Sequence, residues 1–335
     1  MQHTFTALTR ALRWITVVSI GVLSGCASTP DISLQPGYTE LSPSHSLANI
    51  PYFPQVEDQC GPASLATVLV ANGIDVLPEQ LRDKIYIPGK QGAVTTEMVA
   101  RARRYGLLAY VLRPELSDVL AEINAGTPVL VMQNLGFSWL PRWHFSVAVA
   151  YNLEAQTITL RSGDQPNHEI GIHLFLKTWR RANSWALAVM PAGAIPVTAN
   201  AKQLLQAATD LEQVGEQAAA LAVYQSILQR WPDHSLANFG AGNSAYALGS
   251  YQQAHDYFSA YLQAQPSAAE GWNNLAYSLV ALACGPQALQ AIHCGLALKP
   301  EHPMLIESLN ELNSDIKNSS AKVKVCATIQ CAMEP

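Results

Sequence analysis

The chain has 335 residues, of which 49 % are apolar and 13 % charged, and its net charge is -5. That length suits two domains, each with its own core, and that composition excludes an intrinsically disordered chain. No dense Lys/Arg run follows the N-terminus, so no nucleic-acid partner is expected; the six cysteines are too few for a disulfide scaffold of this length.

Arg10 and Arg13 precede an apolar stretch, Trp14 to Leu23, broken only by Ser19 and Gly21. A bilayer-spanning helix needs about 20 residues, so this stretch fits a secretory signal instead. It ends in Leu23-Ser24-Gly25-Cys26, which resembles a bacterial lipobox. The resemblance implies that Cys26 becomes the mature N-terminus and carries lipid, so that the chain meets a membrane through its anchor. An ordinary signal peptide with an incidental cysteine is the plainer alternative. Ala27 after the cysteine implies, by resemblance to enterobacterial lipoproteins, an outer-membrane protein facing the periplasm. Residues 1–25 then read as signal, and the Pro/Ser-rich residues 26–47 as a lipidated tether.

Residues 48–191 mix periodicities. Helices are expected at Ala63–Asn72, stopped by Gly73, at Glu97–Tyr105, stopped by Gly106, and at Leu116–Asn124, closed by Gly126. Strands follow at Val129–Asn134, Phe145–Tyr151, Thr157–Arg161 and Trp185–Met190, with a hairpin connection at 152–156. Helices first and antiparallel strands second make an α+β domain. Residues 192–200 read as a linker.

Beyond the linker, Pro232, Pro266 and Pro300 recur every 34 residues, in phase with Ala220, Ala254 and Ala288 and with Tyr224, Phe258 and Ile292. This period resembles the tetratricopeptide repeat, an all-α superhelix of helix pairs. The small alanine lets the paired helices approach, and the proline ends the second. Units fall at 201–234, 235–268 and 269–302, a capping helix begins at Pro303 within 201–315, and 316–335 is a tail. In that family the first helices line a groove. The resemblance places Phe239, Asn243, Tyr246, Asn273 and Tyr277 there, rings and amides suited to an extended peptide from a protein partner.

The chemistry concentrates in Gln55-Val-Glu-Asp-Gln59-Cys60-Gly61-Pro62. Cys60 precedes an apolar helix whose N-terminus carries partial positive charge, and this favours the thiolate. Pro62 suits a first helical turn. A buried, inert cysteine is the bland alternative. A thiolate nucleophile needs a base, and His144 opens the alternating strand HFSVAVAY. Asp164 ends the next strand, where a carboxylate could hold the imidazole; taken alone it is a turn residue.

Residues 51–69 and 143–164 together resemble the bacteriocin-processing, or double-glycine leader, cysteine peptidases, which have a papain-like fold. The resemblance implies Cys60 as nucleophile, His144 as general base and Asp164 as the residue that orients it. It implies Gln55 as oxyanion donor, beside the backbone N–H of Cys60. Gln55 lies five residues before the cysteine where the family has six, and Gln59 is a rival. Asp164 is followed by Gln165 and only then Pro166. The family's best-known members are fused to transporters, and this chain shows no nucleotide-binding motif.

No cofactor is expected, and no metal: Asp164, His168 and His173 lack the spacing of a closed site. Cys284 and Cys294, in the third repeat, either form a disulfide, which an oxidising periplasm permits, or simply pack, and Cys326 with Cys331 in the polar tail could close a small loop; the sequence leaves both pairs open. The expected activity is a cysteine peptidase acting on a protein or peptide substrate recruited by the repeats. The alternatives are a thiol amidase or acyl transferase on cell-wall peptides, and a non-catalytic peptidase-like scaffold.

Overall fold

The computed structural model describes residues 37–55, 59–87, 92–318, 326 and 328–331. The signal stretch and Cys26 lie outside them. Contacts divide the chain into Met1–Thr39 and Glu40–Pro335, and every element described belongs to the second unit. Among the described residues no helix is long and apolar enough to cross a membrane.

The first layer of this unit is built on an apolar helix, α1 (Cys60–Ala71), nearly all of which is buried. It is followed by α2 (Pro78–Ile85), the short pair β2 (Tyr86–Ile87) and β3 (Gly92–Ala93), and α3 (Thr95–Arg103). The sheet comprises β1 (Ser44–Ser46), β4 (Leu107–Val111), β5 (Val129–Asn134), β6 (Trp143–Asn152), β7 (Thr157–Ser162), β8 (Gln165–Gly171) and β9 (Ala186–Pro191). Its order is β4-β9-β5-β6-β7-β8, with β1 also paired to β6, and every pairing is antiparallel.

Strand alternation divides the side chains between two faces. Leu130, Phe145, Val147, Leu187 and Val189 pack with Leu65, Val68 and Leu69 of α1 into one buried cluster. Gln133 and Ser146, on the alternate positions, bond each other. Gln133 also reaches Thr178 of α5 (Ile172–Arg180), which therefore covers the opposite face. α4 (Leu116–Asn124) packs against β5 and β6.

Elements β1 to β4, β8, α2 and α5 were not expected, and β1 corrects the end of the expected tether, since Ser44–Ser46 pair with β6. β8 reads Gln-Pro-Asn-His-Glu-Ile-Gly, with no apolar alternation, because it is the sheet's last strand and is mostly exposed. An edge strand tolerates Pro166, whose missing N–H removes no ladder bond.

Seven helices follow: α6 (Ala201–Gln213), α7 (Gln217–Arg230), α8 (Ser235–Ala247), α9 (Tyr251–Ala264), α10 (Ala269–Ala281), α11 (Gly285–Leu298) and α12 (Pro303–Asn318). The landmark residues Ala220, Ala254 and Ala288 and their partners Tyr224, Phe258 and Ile292 are all buried at the helix contacts.

The disulfides are Cys284–Cys326 and Cys294–Cys331, neither of the two pairings that the sequence left open. Cys284 caps α11 and Cys294 lies within it, ten residues on. At 1.5 Å rise per residue that is roughly 15 Å, beyond the reach of a disulfide. Each helix cysteine instead takes one from the tail.

Candidate active site

Cys60 is the first residue of α1, at the positive end of its dipole. The first bond of this helix runs from the Ala63 N–H to the Gln59 carbonyl. Cys60 is half-buried, packs against the apolar cluster that contains Phe145, and takes part in neither disulfide.

Gln55 ties this helix to the sheet. Its Nε2 donates to Ser64 Oγ of α1 at 3.0 Å and to the Phe145 carbonyl of β6 at 3.3 Å. Its Oε1 accepts from the Gly163 N–H at 2.9 Å, and its own N–H donates to the Gly163 carbonyl at 2.8 Å. Tyr52 donates to the same carbonyl, and Arg161 to the Ile50 carbonyl. The segment before Cys60 is thus strapped to the β7–β8 hairpin. Both amide hydrogens of Gln55 are engaged, so its amide is not directed freely into a cleft as expected. Gln59, the N-cap of α1, is half-buried and makes no side-chain capping bond.

His144 lies next to Phe145, at the start of β6. Its Nε2 is 2.7 Å from Ser162 Oγ. Burial first, then the charges of Arg142 and His168, push the imidazole down to about 4. It is therefore neutral at pH 7 and able to accept a proton.

Ser162 replaces Asp164 as the imidazole's partner, which corrects the sequence expectation. β7 ends at Ser162, and Ser162 pairs with Gln165, so Gly163 and Asp164 form a two-residue turn. Gly163 takes φ 60°, a conformation that costs glycine nothing. The turn carries the Asp164 carboxylate into solvent, where its charge adds to burial in raising the Tyr52 phenol. The end of the strand was the overlooked signal: Ser162 is the last residue of β7, whereas Asp164, at the same parity, lies past it in the turn.

In the repeats, Asn243, Tyr246, Phe258, Asn274 and Tyr277 line a cavity of about 320 Å³. Asn274 donates to Asn243, and Tyr277 to Glu311 of α12. One expected groove residue is elsewhere. Asn273 is buried and accepts from Ser308 of α12, because it lies on the edge of α10 that the capping helix covers. Phe239 packs its ring against Phe258 and Tyr261 of α9. Asn274 takes the place given to Asn273; both are within one turn of Tyr277, so helical spacing does not choose between them.

Among the described residues no group of three His, Cys, Asp or Glu side chains is placed to hold a metal.

Residues 47–186 match the family described as Peptidase_C39 like, and residues 205–269 and 239–282 match the tetratricopeptide repeat. Protein FlbA of Caulobacter vibrioides is 28 % identical over 112 residues, 33 % of this chain and only 19 % of that protein's length. A C39-like peptidase from Bacillus anthracis is 18 % identical at a TM-score of 0.37, covering 44 % of this chain and 96 % of that one. The peptidase domain of Streptococcus ComA is 22 % identical at a TM-score of 0.34, covering 43 % and 99 %. MamA from Desulfovibrio magneticus RS-1 is 20 % identical at a TM-score of 0.34, covering 36 % and 67 %.

Proposed function

We propose, on the premise that residues 47–186 form a Peptidase_C39-like domain followed by tetratricopeptide repeats, that this chain is a thiol peptidase anchored at an extracytoplasmic membrane surface. The observation that carries the reading is a neutral, buried His144 held by Ser162, on the strand that Gln55 ties to the Cys60 helix. Cys60 is the nucleophile and His144 the base. Ser162 is a positioning residue that fixes Nε2 and leaves Nδ1 for the thiol.

In the proposed reaction His144 takes the Cys60 proton, and the thiolate attacks the scissile carbonyl carbon. The carbonyl oxygen becomes an oxyanion at the N-terminus of α1. Gln55 is the proposed side-chain donor there. Its bond to Phe145, 3.3 Å and between neutral groups, is the weaker of the two it donates, and a charged acceptor can displace it. The imidazolium returns its proton to the leaving amine. Water, deprotonated by His144, then attacks the thioester, releases the acid and restores the thiol.

The two disulfides support an oxidising compartment, as expected beyond a secretory signal. The repeat cavity, with two tyrosines and two amides, is proposed to hold the extended protein or peptide target. Lipid attachment at Cys26 is tested by Cys26→Ser, which is expected to lose the mobility shift and detergent partitioning of the parent.

A second reading has its own support. Ser162 carries no charge to stabilise an imidazolium, and burial disfavours that cation further. This favours a domain that binds peptides without cutting them. Alkylation of Cys60 by iodoacetamide near pH 7, faster than that of an unperturbed thiol, supports catalysis. So do new protein termini in envelopes carrying the parent but not Cys60→Ala. Cleaved wall peptides without new protein termini would instead assign the same chemistry to an amidase. Slow alkylation and unchanged termini would leave only the scaffold.

A further inference from the structure

The loop between β5 and β6 holds an apolar tip beside His144. Trp139 is 79 % exposed, Phe137 65 %, Leu140 61 % and Trp143 50 %. The loop is nevertheless built with definite structure. The Asn134 carboxamide accepts from the N–H groups of Gly136 and Arg142, Phe137 and Leu140 form a bridge, and the Leu135 N–H donates to the Arg142 carbonyl. Arg181, at the end of α5, donates to the Gly136 carbonyl. A Cβ on Gly136 would lie 2.4 Å from the Leu140 carbonyl, so the turn closes too tightly for any other residue. The rings of Phe137 and Trp139 stack 5.8 Å apart. A fixed loop that keeps two stacked rings in water has forgone their burial, which a partner surface would restore.

The charges around this tip indicate the partner. The chain as a whole is at -5, yet residues 126–153 and 172–191 contain no Asp or Glu. Arg142 lies in the loop, and Arg181 at its base. Leu174, 56 % exposed, lies two helical turns before Arg181 on the same stripe of α5, with Lys177 between them. A projecting cluster of Trp, Phe and Leu with a collar of Arg and Lys is the pattern of an interfacial anchor. The rings enter the acyl boundary, and the cations meet anionic headgroups. A projecting tip suits a deformable bilayer better than it suits a peptide, which needs a groove.

We infer that residues 135–143 insert into an anionic lipid surface, so that the mouth of the Cys60–His144 site lies against the bilayer and takes substrates presented there. This rests on the proposed placement at a membrane and not on the chemistry of Cys60.

The test uses the full chain bound to phosphatidylglycerol-containing vesicles with brominated acyl chains, collected by sedimentation before tryptophan fluorescence is read. The parent is expected to be quenched by shallow bromines. Trp139→Phe/Trp143→Phe, which keeps the apolar bulk and removes both tryptophan reporters of the segment, is expected to cut that quenching at least roughly threefold. Phe137→Ser/Leu140→Ser, which keeps both reporters, is expected to do the same. Exchanging phosphatidylglycerol for phosphatidylcholine is expected to weaken it. Vesicle-bound protein whose quenching is unchanged by both variants overturns the inference. So does a loop variant that raises KM on a soluble peptide without vesicles while quenching stays at the parent level, since the loop would then be a substrate subsite. Cys26→Ser that sediments at low lipid as the parent does overturns only the proposed anchor, because the quenching at saturating lipid still reports the loop.

Discussion

His144 is held by a neutral hydroxyl, and this has consequences at a single residue. Ser162→Ala removes the 2.7 Å bond to Nε2 and frees the ring to rotate. Turnover is expected to fall about 10- to 100-fold with thiol accessibility unchanged, because orientation is lost and the nucleophile is not. Ser162→Asp places a negative charge against the same nitrogen. It is expected to move the acid limb of the pH–rate profile upward, a readout that a purely structural role would not shift. Asp164→Ala is expected to stay near parent activity; a loss as large as that of Ser162→Ala would restore the carboxylate to the site. Burial of neutral His144 also couples to stability. Its folded pKa, about 4, lies below the ordinary 6.5, so the unfolded chain binds the extra proton first. The stabilisation is complete above about pH 6.5 and is lost as pH falls towards 4, amounting to about 3 kcal/mol at most. Urea unfolding of the parent and of His144→Gln from pH 7 to 4 checks this: the parent should lose more stability than the variant across that window.

Helix packing in the repeats leaves no space where side chains cross. A Cβ on Gly240 of α8 would lie 2.2 Å from the Tyr224 ring of α7, which is buried and bonded through its hydroxyl to Glu212. Gly240→Ala is therefore expected to destabilise the array by about 1–3 kcal/mol through overpacking, despite the better helix propensity of alanine, as read by the shift in its thermal melt. At the other end, the two disulfides fasten the tail across α11, closing segments of 42 and 37 residues. Cross-links of that span stabilise by about 3–4 kcal/mol each in the chain-entropy account. Cys284→Ser/Cys326→Ser is expected to lower the melting temperature of the repeats while leaving Cys60 alkylation unaltered.

The repeats and the sheet form one packed body. Arg103 of α3 pairs with Asp210 of α6 at 2.6 Å, and Tyr110 of β4 donates to Gln203. Glu122 of α4 is buried and accepts from both the N–H and the hydroxyl of Thr198, and Ser226 of α7 donates to the Gly193 carbonyl. Residues 192–200, expected as a linker, are held to α4 by these bonds. A chain ending near Gly193 is thus expected to keep the Cys60 environment but to melt lower, since it uncovers β4 and removes the donors to Glu122. Alkylation kinetics and a melt on the same sample check both halves. A truncated domain as stable as the parent would show the two parts to be independent.

What the sequence determined by itself is whatever depends on local order: the 34-residue period, the apolar helix behind Cys60, the alternating strand that His144 opens, and the boundaries of β5 and α4. These follow from spacing along one chain, which periodicity records. What the tertiary structure decided is which groups meet across elements. Whether Ser162 or Asp164 faces His144 depends on where the β7–β8 turn closes. Which cysteines pair depends on the tail crossing α11, and whether Asn273 or Asn274 lines the groove depends on the edge that α12 covers. The engagement of Gln55 required the hairpin at Gly163, 108 residues away. Each is a long-range choice among near-equal local options, and only packing separates them.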